Sequence, residues 1–337
     1  MANADKPDSR RAARRILRGV YLKARREFAY RNSTPVNLAL QGGGALGAFT
    51  AGALIRLSKE RRMRFVAISG ASAGALNGAV FATGLVLDGR RGARRALADF
   101  WSDVAASSNA MSFLLTPALV GIQSNIWSRT LGENVRQKMT GMGANPLRGL
   151  VSKHVNIDAL TAPGAPQLFI SATHVSSARP RIFSNKDLSI DALLASACLP
   201  ALHGAVEIDG EAYWDGGFTS NPPIEPLIHS GGRRTILIRL VRAGATAAPR
   251  SVAEIDSYMM RHVFARETEN ELTRIAARRG LRPRIEEIDL SSEEDAPGLG
   301  VRPSRRVIAD LIDRGASAAA LFLTAAHGDM QDLRAAG

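Results

Sequence analysis

Twice in its first half the chain passes from a short apolar run through glycines into a helix-compatible stretch of small residues. The first passage is Val36 to Leu40, then "QGGGALG", then a helix expected from about Ala48 to Lys59. The second is Arg64 to Ser69, then "GASAG", then a packed helix over Ala75 to Leu87. Near-continuous apolar strands alternating with helices belong to a mostly parallel sheet, because crossover helices cover both of its faces. The fold class is therefore α/β, and 337 residues with 45% hydrophobic content supply ample core for it.

Further along, a helix is expected near Ala93 to Val104. The text "SSNAMSFLLTPALVGIQSNIW" that follows is apolar and broken by Pro117, and reads either as a lid or acyl-contact surface or as ordinary helical packing at the sheet edge. Strand signals return at Gln167 to Thr173 and Arg181 to Phe183. "VEIDGEAYW" reads as a hairpin turning at Asp209 and Gly210 in a type I′ turn. Arg234 to Val241 and Arg284 to Leu290 are further strands, Ser291 to Ser304 is an acidic loop, and an amphipathic helix runs from about Arg305 to Ala326. With no clean linker, residues 34–337 read as one domain behind an arm of residues 1–33.

That arm holds much of the charge excess. Against 31 Asp plus Glu the chain has 44 Lys plus Arg, a formal net charge of +13. From Arg10 to Arg31 there are nine basic residues and one acid, with Leu17, Val20, Tyr21, Ala24 and Phe28 at helical spacing. A basic helix with one apolar stripe suits a membrane interface, its arginines near phosphates. It equally suits a surface helix packed on the domain, or an unordered arm. No zinc pattern, helix-turn-helix spacing or aromatic strand platform accompanies the charge, which sets nucleic acid aside. The N-terminus lacks an apolar signal region, Asp5 and Asp8 argue against a transit peptide, and the run near Ala73 to Leu87 is too short to span a bilayer. The single cysteine, Cys198, excludes an internal disulfide and reads as a buried packing residue. The expected setting is cytoplasmic, with peripheral membrane contact through the arm.

Three motifs carry chemistry. In "ISGASAGALNG", Ser72 stands at a strand-to-helix corner between Gly70 and Gly74, small enough for helix and strand to approach, with the helix N-terminus behind the hydroxyl. In "GGGALG", Gly42 to Gly47, successive glycines leave backbone N–H groups uncovered, which suits an oxyanion; a phosphate loop is the competing reading, but the run is neither G-x-G-x-x-G nor a P-loop. In "WDGGF", Asp215 precedes two glycines at the end of a hairpin strand, either a fixed carboxylate near a ligand or a simple Asp-Gly turn. None of the six histidines sits in a motif; His203 and His229 are nearest Asp215 in sequence. Trp214 reads as closing the core, with acyl-pocket lining as the alternative.

Taken in order, the Gly-rich loop, the Gly70-Ala71-Ser72-Ala73-Gly74 elbow, "ASACLP" at Ala195 to Pro200 and Asp215-Gly216-Gly217 resemble the patatin-like phospholipase family over Val36 to Val241. The resemblance implies a three-layer α/β/α sandwich with a Ser72-Asp215 dyad and no histidine, metal or cofactor. Ser72 would attack an ester carbonyl, Asp215 would take its proton, and the loop Gly42, Gly43 and Gly44 would form the oxyanion hole, with Gly43 and Gly44 N–H as donors. Many members carry Lys or Arg at the fifth loop position; Leu46 stands here, which points to a less charged ester such as a lysophospholipid, a neutral acyl ester or a storage polyester. A non-catalytic scaffold that binds lipid or a partner is the rival reading, and an enzyme with His203 or His229 as base is another.

Overall fold

In β1 (Thr34–Leu40) the buried side chains alternate: Val36, Leu38 and Leu40 enter one apolar cluster and Ala39 another. A strand buried on both faces must lie inside the sheet, and β1 does, between β2 (Met63–Gly70) and β7 (Arg234–Arg239). The computed structural model describes residues 33–106, 145, 147–199, 204–243, 250, 252–278, 283–290 and 304–335, with backbone alone at 252–257, 259–260 and 326–335. The arm, the apolar text of residues 107–127, the acidic loop 291–303 and His203 lie outside the described residues.

Among those residues the strands form one eight-stranded sheet. The remaining strands are β3 (Gln167–His174), β4 (Arg179–Ser184), β5 (Val206–Ile208), β6 (Glu211–Asp215) and β8 (Ile285–Asp289). The order is β5-β6-β3-β2-β1-β7-β8, with β4 also paired to β3. From β3 to β8 along this path all neighbours are parallel; β4, β5 and β6 pair antiparallel at the other side. The β5–β6 hairpin turns at Asp209 (φ 54°) and Gly210 (φ 80°), the two positive values of a type I′ turn.

One face carries α1 (Gly47–Leu57), α2 (Ala73–Ala106) and α8 (Arg305–Ala335), packed on the cluster that includes Leu38, Phe49, Leu54, Ile68 and Leu311. The other carries α6 (Glu225–Ile228) and α7 (Val252–Ala276), whose Leu227 and Ile275 meet Ala39, Ala67 and Leu237. This is the three-layer α/β/α sandwich. The short helices α3 (Leu147–His154), α4 (Ile157–Thr161) and α5 (Ile190–Ser196) join the first cluster. The two helices expected at Ala75 to Leu87 and Ala93 to Val104 are halves of α2, which breaks at Asp88 and Gly89, the latter at φ 59°. Among the described residues no helix is long and apolar enough to cross a membrane.

Register, more than any single contact, builds the site. Leu40 pairs with Gly70, so β1 and β2 end level, and the glycine loop emerges beside the Ser72 corner. Gly70 pairs with Ile170 on β3, while Ala172, two residues further, pairs with Asp215. Ser72 lies two residues past Gly70, so at about 3.3 Å per residue the serine and the aspartate reach the same level.

Candidate active site

The corner at Ser72 is tight. Ser72 has φ 53°, a left-handed conformation that a side chain adopts only at a cost. Two glycines make the corner possible: a Cβ on Gly70 would lie 2.7 Å from Ala75 N, and one on Gly74 would lie 2.1 Å from Leu40 O. Helix α2 starts at once, with Ala75 N–H donating to Ala71 O and Leu76 N–H to Ser72 O. The Ser72 N–H is shared between the carbonyl and the hydroxyl oxygen of Ser196, each 3.1 Å away. The serine is 2% exposed.

Asp215 ends β6 and is wholly buried. Its N–H donates to Cys198 O at 2.8 Å, its carbonyl accepts from Thr173 Oγ1 at 2.7 Å, and its Oδ1 accepts from Gly217 N–H at 2.7 Å. Oδ2 has no well-formed hydrogen bond among the described residues. Burial pushes the carboxyl from 3.8 up to about 7, while the Ser72 hydroxyl and the Gly217 N–H pull the other way. The hydroxyl is thus near enough to act on the carboxylate. "ASACLP" ties the two together: Ser196 holds the backbone of Ser72, and Cys198, two residues on, holds that of Asp215.

The glycine loop lies against the serine, since a Cβ on Gly42 would sit 2.9 Å from Ser72 Cβ. Gly42 itself departs from the expected oxyanion hole. Its N–H is given to Asn221 Oδ1 at 2.7 Å, so it anchors the loop and is not available to an oxyanion. The N–H groups of Gly43 and Gly44 have no acceptor among the described residues, and Gly44 takes φ 56°. Leu46 is buried in the core at 3% exposure, so the fifth position of the loop faces inward.

Sequence reasoning did not reach Asn221 or Gln41. Both are fully buried amides beside the loop, and neither belongs to an apolar pattern or a catalytic signature. Trp214 does not close the core. Strand alternation sends Tyr213 and Asp215 inward and leaves Trp214 half-buried, outside both apolar clusters. The Cys198 thiol is pushed up to about 12 by burial, with the charge of Asp215 adding, and donates to Gly204 O; it is an inert packing group. His154 pairs with Asp103, His174 with Glu211, and exposed His229 caps α6, so no described histidine bonds to Ser72 or Asp215. No group of three or more His, Cys, Asp or Glu able to hold a metal occurs among the described residues. A cavity of about 570 Å³ lined by Arg61, Met63, Phe65 and Arg90 lies at the opposite end of the strands and includes neither Ser72 nor Asp215.

Residues 38–228 match the family described as patatin-like phospholipase. The match spans more than half of the chain, and the chain belongs to that family, which places it among lipid acyl hydrolases acting on ester bonds. No curated protein sequence matches it. Among solved structures, VipD from Legionella pneumophila is 14% identical, with 87% of this chain and 67% of VipD covered at a TM-score of 0.46. The type III effector ExoU is 15% identical over 86% of this chain and 52% of its own, at 0.33. ExoU in complex with SpcU, from Pseudomonas aeruginosa, is 20% identical over 73% and 52%, at 0.32. The chain thus spans about half the length of ExoU.

Because the folded-state pKa of Asp215 lies above its unfolded value, the native protein binds more protons between about 3.8 and about 7, and this group's contribution to stability falls as pH rises through that window. Asp215→Asn removes the penalty. The variant is expected to gain stability over wild type at alkaline pH by a few kcal/mol at most, and to lose that advantage at about pH 4. Denaturant midpoints at the two pH values check this; an equal difference at both would contradict the assignment of the raised pKa.

Proposed function

We propose that this chain hydrolyses carboxylic esters of phospholipids or related acyl lipids through an acyl-Ser72 intermediate, with Asp215 as the base. The observation that carries the reading is the buried carboxylate. One of its oxygens is fixed by Gly217 N–H, the other is unbonded, and the hydroxyl of Ser72, on a strained corner, is close enough to act on the group. A carboxylate at its ordinary pKa is a weak base; raised to about 7, it is matched to taking a proton near neutral pH.

In the first half-reaction the Ser72 proton passes to Asp215 Oδ2 as Oγ bonds to the ester carbonyl carbon, and the carbonyl electrons move onto its oxygen. Gly43 and Gly44 N–H are the donors for that oxyanion, without another acceptor among the described residues. Collapse breaks the bond to the alcohol, which leaves with the proton from Asp215. In the second, water gives a proton to Asp215 and attacks the acyl carbon, and collapse releases the carboxylic acid while Ser72 Oγ recovers the proton. Neither half calls for a metal or cofactor.

The apolar, inward-facing Leu46 favours the less charged esters within this class, since no cation is offered at that position. Residues 34–337 are proposed to form one domain, supported by the packing of α7 and α8 on the same sheet as the matched segment. The basic arm is proposed as a peripheral membrane contact, supported by its charge and apolar stripe. Deleting residues 1–31 should reduce co-sedimentation with anionic vesicles, and unchanged sedimentation would remove that role.

Release of fatty acid from lysophospholipid, and of alcohol from a soluble chromogenic ester, is expected for wild type. Ser72→Ala and Asp215→Ala, both folded by circular dichroism, are expected to lose activity by at least about 10³-fold. Full activity in either variant would contradict the dyad.

A further inference from the structure

Helix α7 starts at Val252, beyond the matched segment that ends at residue 228. One of its faces nonetheless meets both halves of the site. Phe264, Thr268 and Glu271 follow at i, i+4 and i+7 and so share that face. The Phe264 ring lies so close to Gly217 that a Cβ there would be 2.5 Å from it, two residues from Asp215. The Glu271 carboxylate accepts from the N–H groups of Ile224 and Glu225 at 3.1 and 2.9 Å.

Between them stands Thr268, fully buried, with one hydroxyl serving Gln41, Asn221 and, at 3.3 Å, the Phe264 carbonyl of its own helix. Its Oγ1 accepts from Gln41 Nε2 at 2.6 Å and donates to the Asn221 carbonyl. Gln41 is otherwise saturated: Oε1 accepts from Leu240 N–H at 2.7 Å and Val241 N–H at 2.9 Å, and Nε2 also reaches Val241 O at 3.2 Å. Asn221 Oδ1 accepts from Gly42 N–H at 2.7 Å, and its Nδ2 donates to Phe264 O at 3.2 Å. Gln41 and Asn221 therefore grip the loop from its two sides, one through the chain into Gly42 and one through Gly42 N–H. The Thr268 hydroxyl joins the two grips.

We infer that Thr268, from outside the matched segment, is a positioning residue that aims the Gly43 and Gly44 N–H groups through Gln41 and Asn221. This rests on the reading of those groups as oxyanion donors. The Gly44 N–H shares a peptide plane with Gly43 O, which accepts from Leu46 N–H at 3.1 Å, and the Gly43 N–H shares one with Gly42 O, which faces Asn221 Nδ2 at 3.5 Å; among the described residues neither N–H has an acceptor of its own, so the placement of both follows that of Gly42, which Gln41 and Asn221 set. Donor placement matters at the scale of an ångström, and it matters in the transition state, where the oxygen carries charge, more than in the substrate complex.

The experiment compares wild type, Thr268→Val, Thr268→Ser and Ser72→Ala on a soluble chromogenic ester, with a thermal melt of each. Valine keeps the shape and removes the hydroxyl; serine keeps the hydroxyl. The expected result is a kcat lowered by about 10- to 100-fold in Thr268→Val with KM nearly unchanged, and kcat restored to within a few-fold in Thr268→Ser. Wild-type kcat in folded Thr268→Val, or an equal loss in Thr268→Ser, would overturn the inference while leaving the serine assignment standing. Hydrolysis that persists in Ser72→Ala would instead remove the parent reading, and the inference with it. Should Thr268→Val fail to fold, Asn221→Ser, which leaves Gly42 N–H without its acceptor, carries the same expected kcat loss, and wild-type kcat there would equally overturn the inference.

Discussion

A carboxylate with no exposure to water and one unbonded oxygen is among the costliest groups a fold can hold, and Asp215 is such a group. Left ionised without a partner it would destabilise the protein, so its pKa rises toward neutrality. Everything around it limits that cost without removing it. Cys198, Thr173 and Gly217 satisfy the backbone of Asp215 and its Oδ1, and the remaining oxygen has no partner among the described residues. Supplying one more donor to Oδ2 would stabilise the protein and lower the basicity that the proposed chemistry needs. Stability and reactivity here compete for the same oxygen.

The sheet makes this juxtaposition repeatable. Parallel β1 and β2 end level, and β3 carries both the parallel pairing to β2 and the antiparallel pairing to β6. Three loops from distant parts of the sequence, at residues 41–47, 70–74 and 215–221, are thereby brought to one end of the strands. Strand register sets their levels, and a small number of buried polar side chains sets their fine positions: Ser196 for Ser72, Asn221 and Gln41 for the glycine loop. α7 closes this arrangement from the far face of the sheet.

Much of this was legible in the sequence where the constraint is local. Gly70 and Gly74 are required by backbone contacts within a few residues of Ser72 or at the end of the adjoining strand, and a strand-glycine-helix text announces them. Asp209 and Gly210 specify their turn by conformation alone. The central strands are apolar because both their faces are covered. What the sequence did not reveal is non-local and polar. α7 escaped because its buried face carries Thr268 and Glu271, so the apolar period of a helix is missing where it packs most closely. Gly42 read as part of the oxyanion hole because nothing nearby in sequence takes its N–H; the acceptor is Asn221, 179 residues away. Trp214 looked like core because of its size, and strand alternation placed Tyr213 and Asp215 there instead.

The central claim is that Asp215 activates Ser72, and its most direct measure is the rate at which a fluorophosphonate modifies Ser72 as a function of pH. Wild type and Asp215→Asn would be followed by mass spectrometry of the modified peptide from about pH 5 to about pH 9. The account predicts a wild-type rate that rises with pH and levels off above a midpoint near the raised pKa of about 7, against a slow rate without that inflection in Asp215→Asn. The same profile in both proteins would contradict it, since the group that titrates would then not be Asp215.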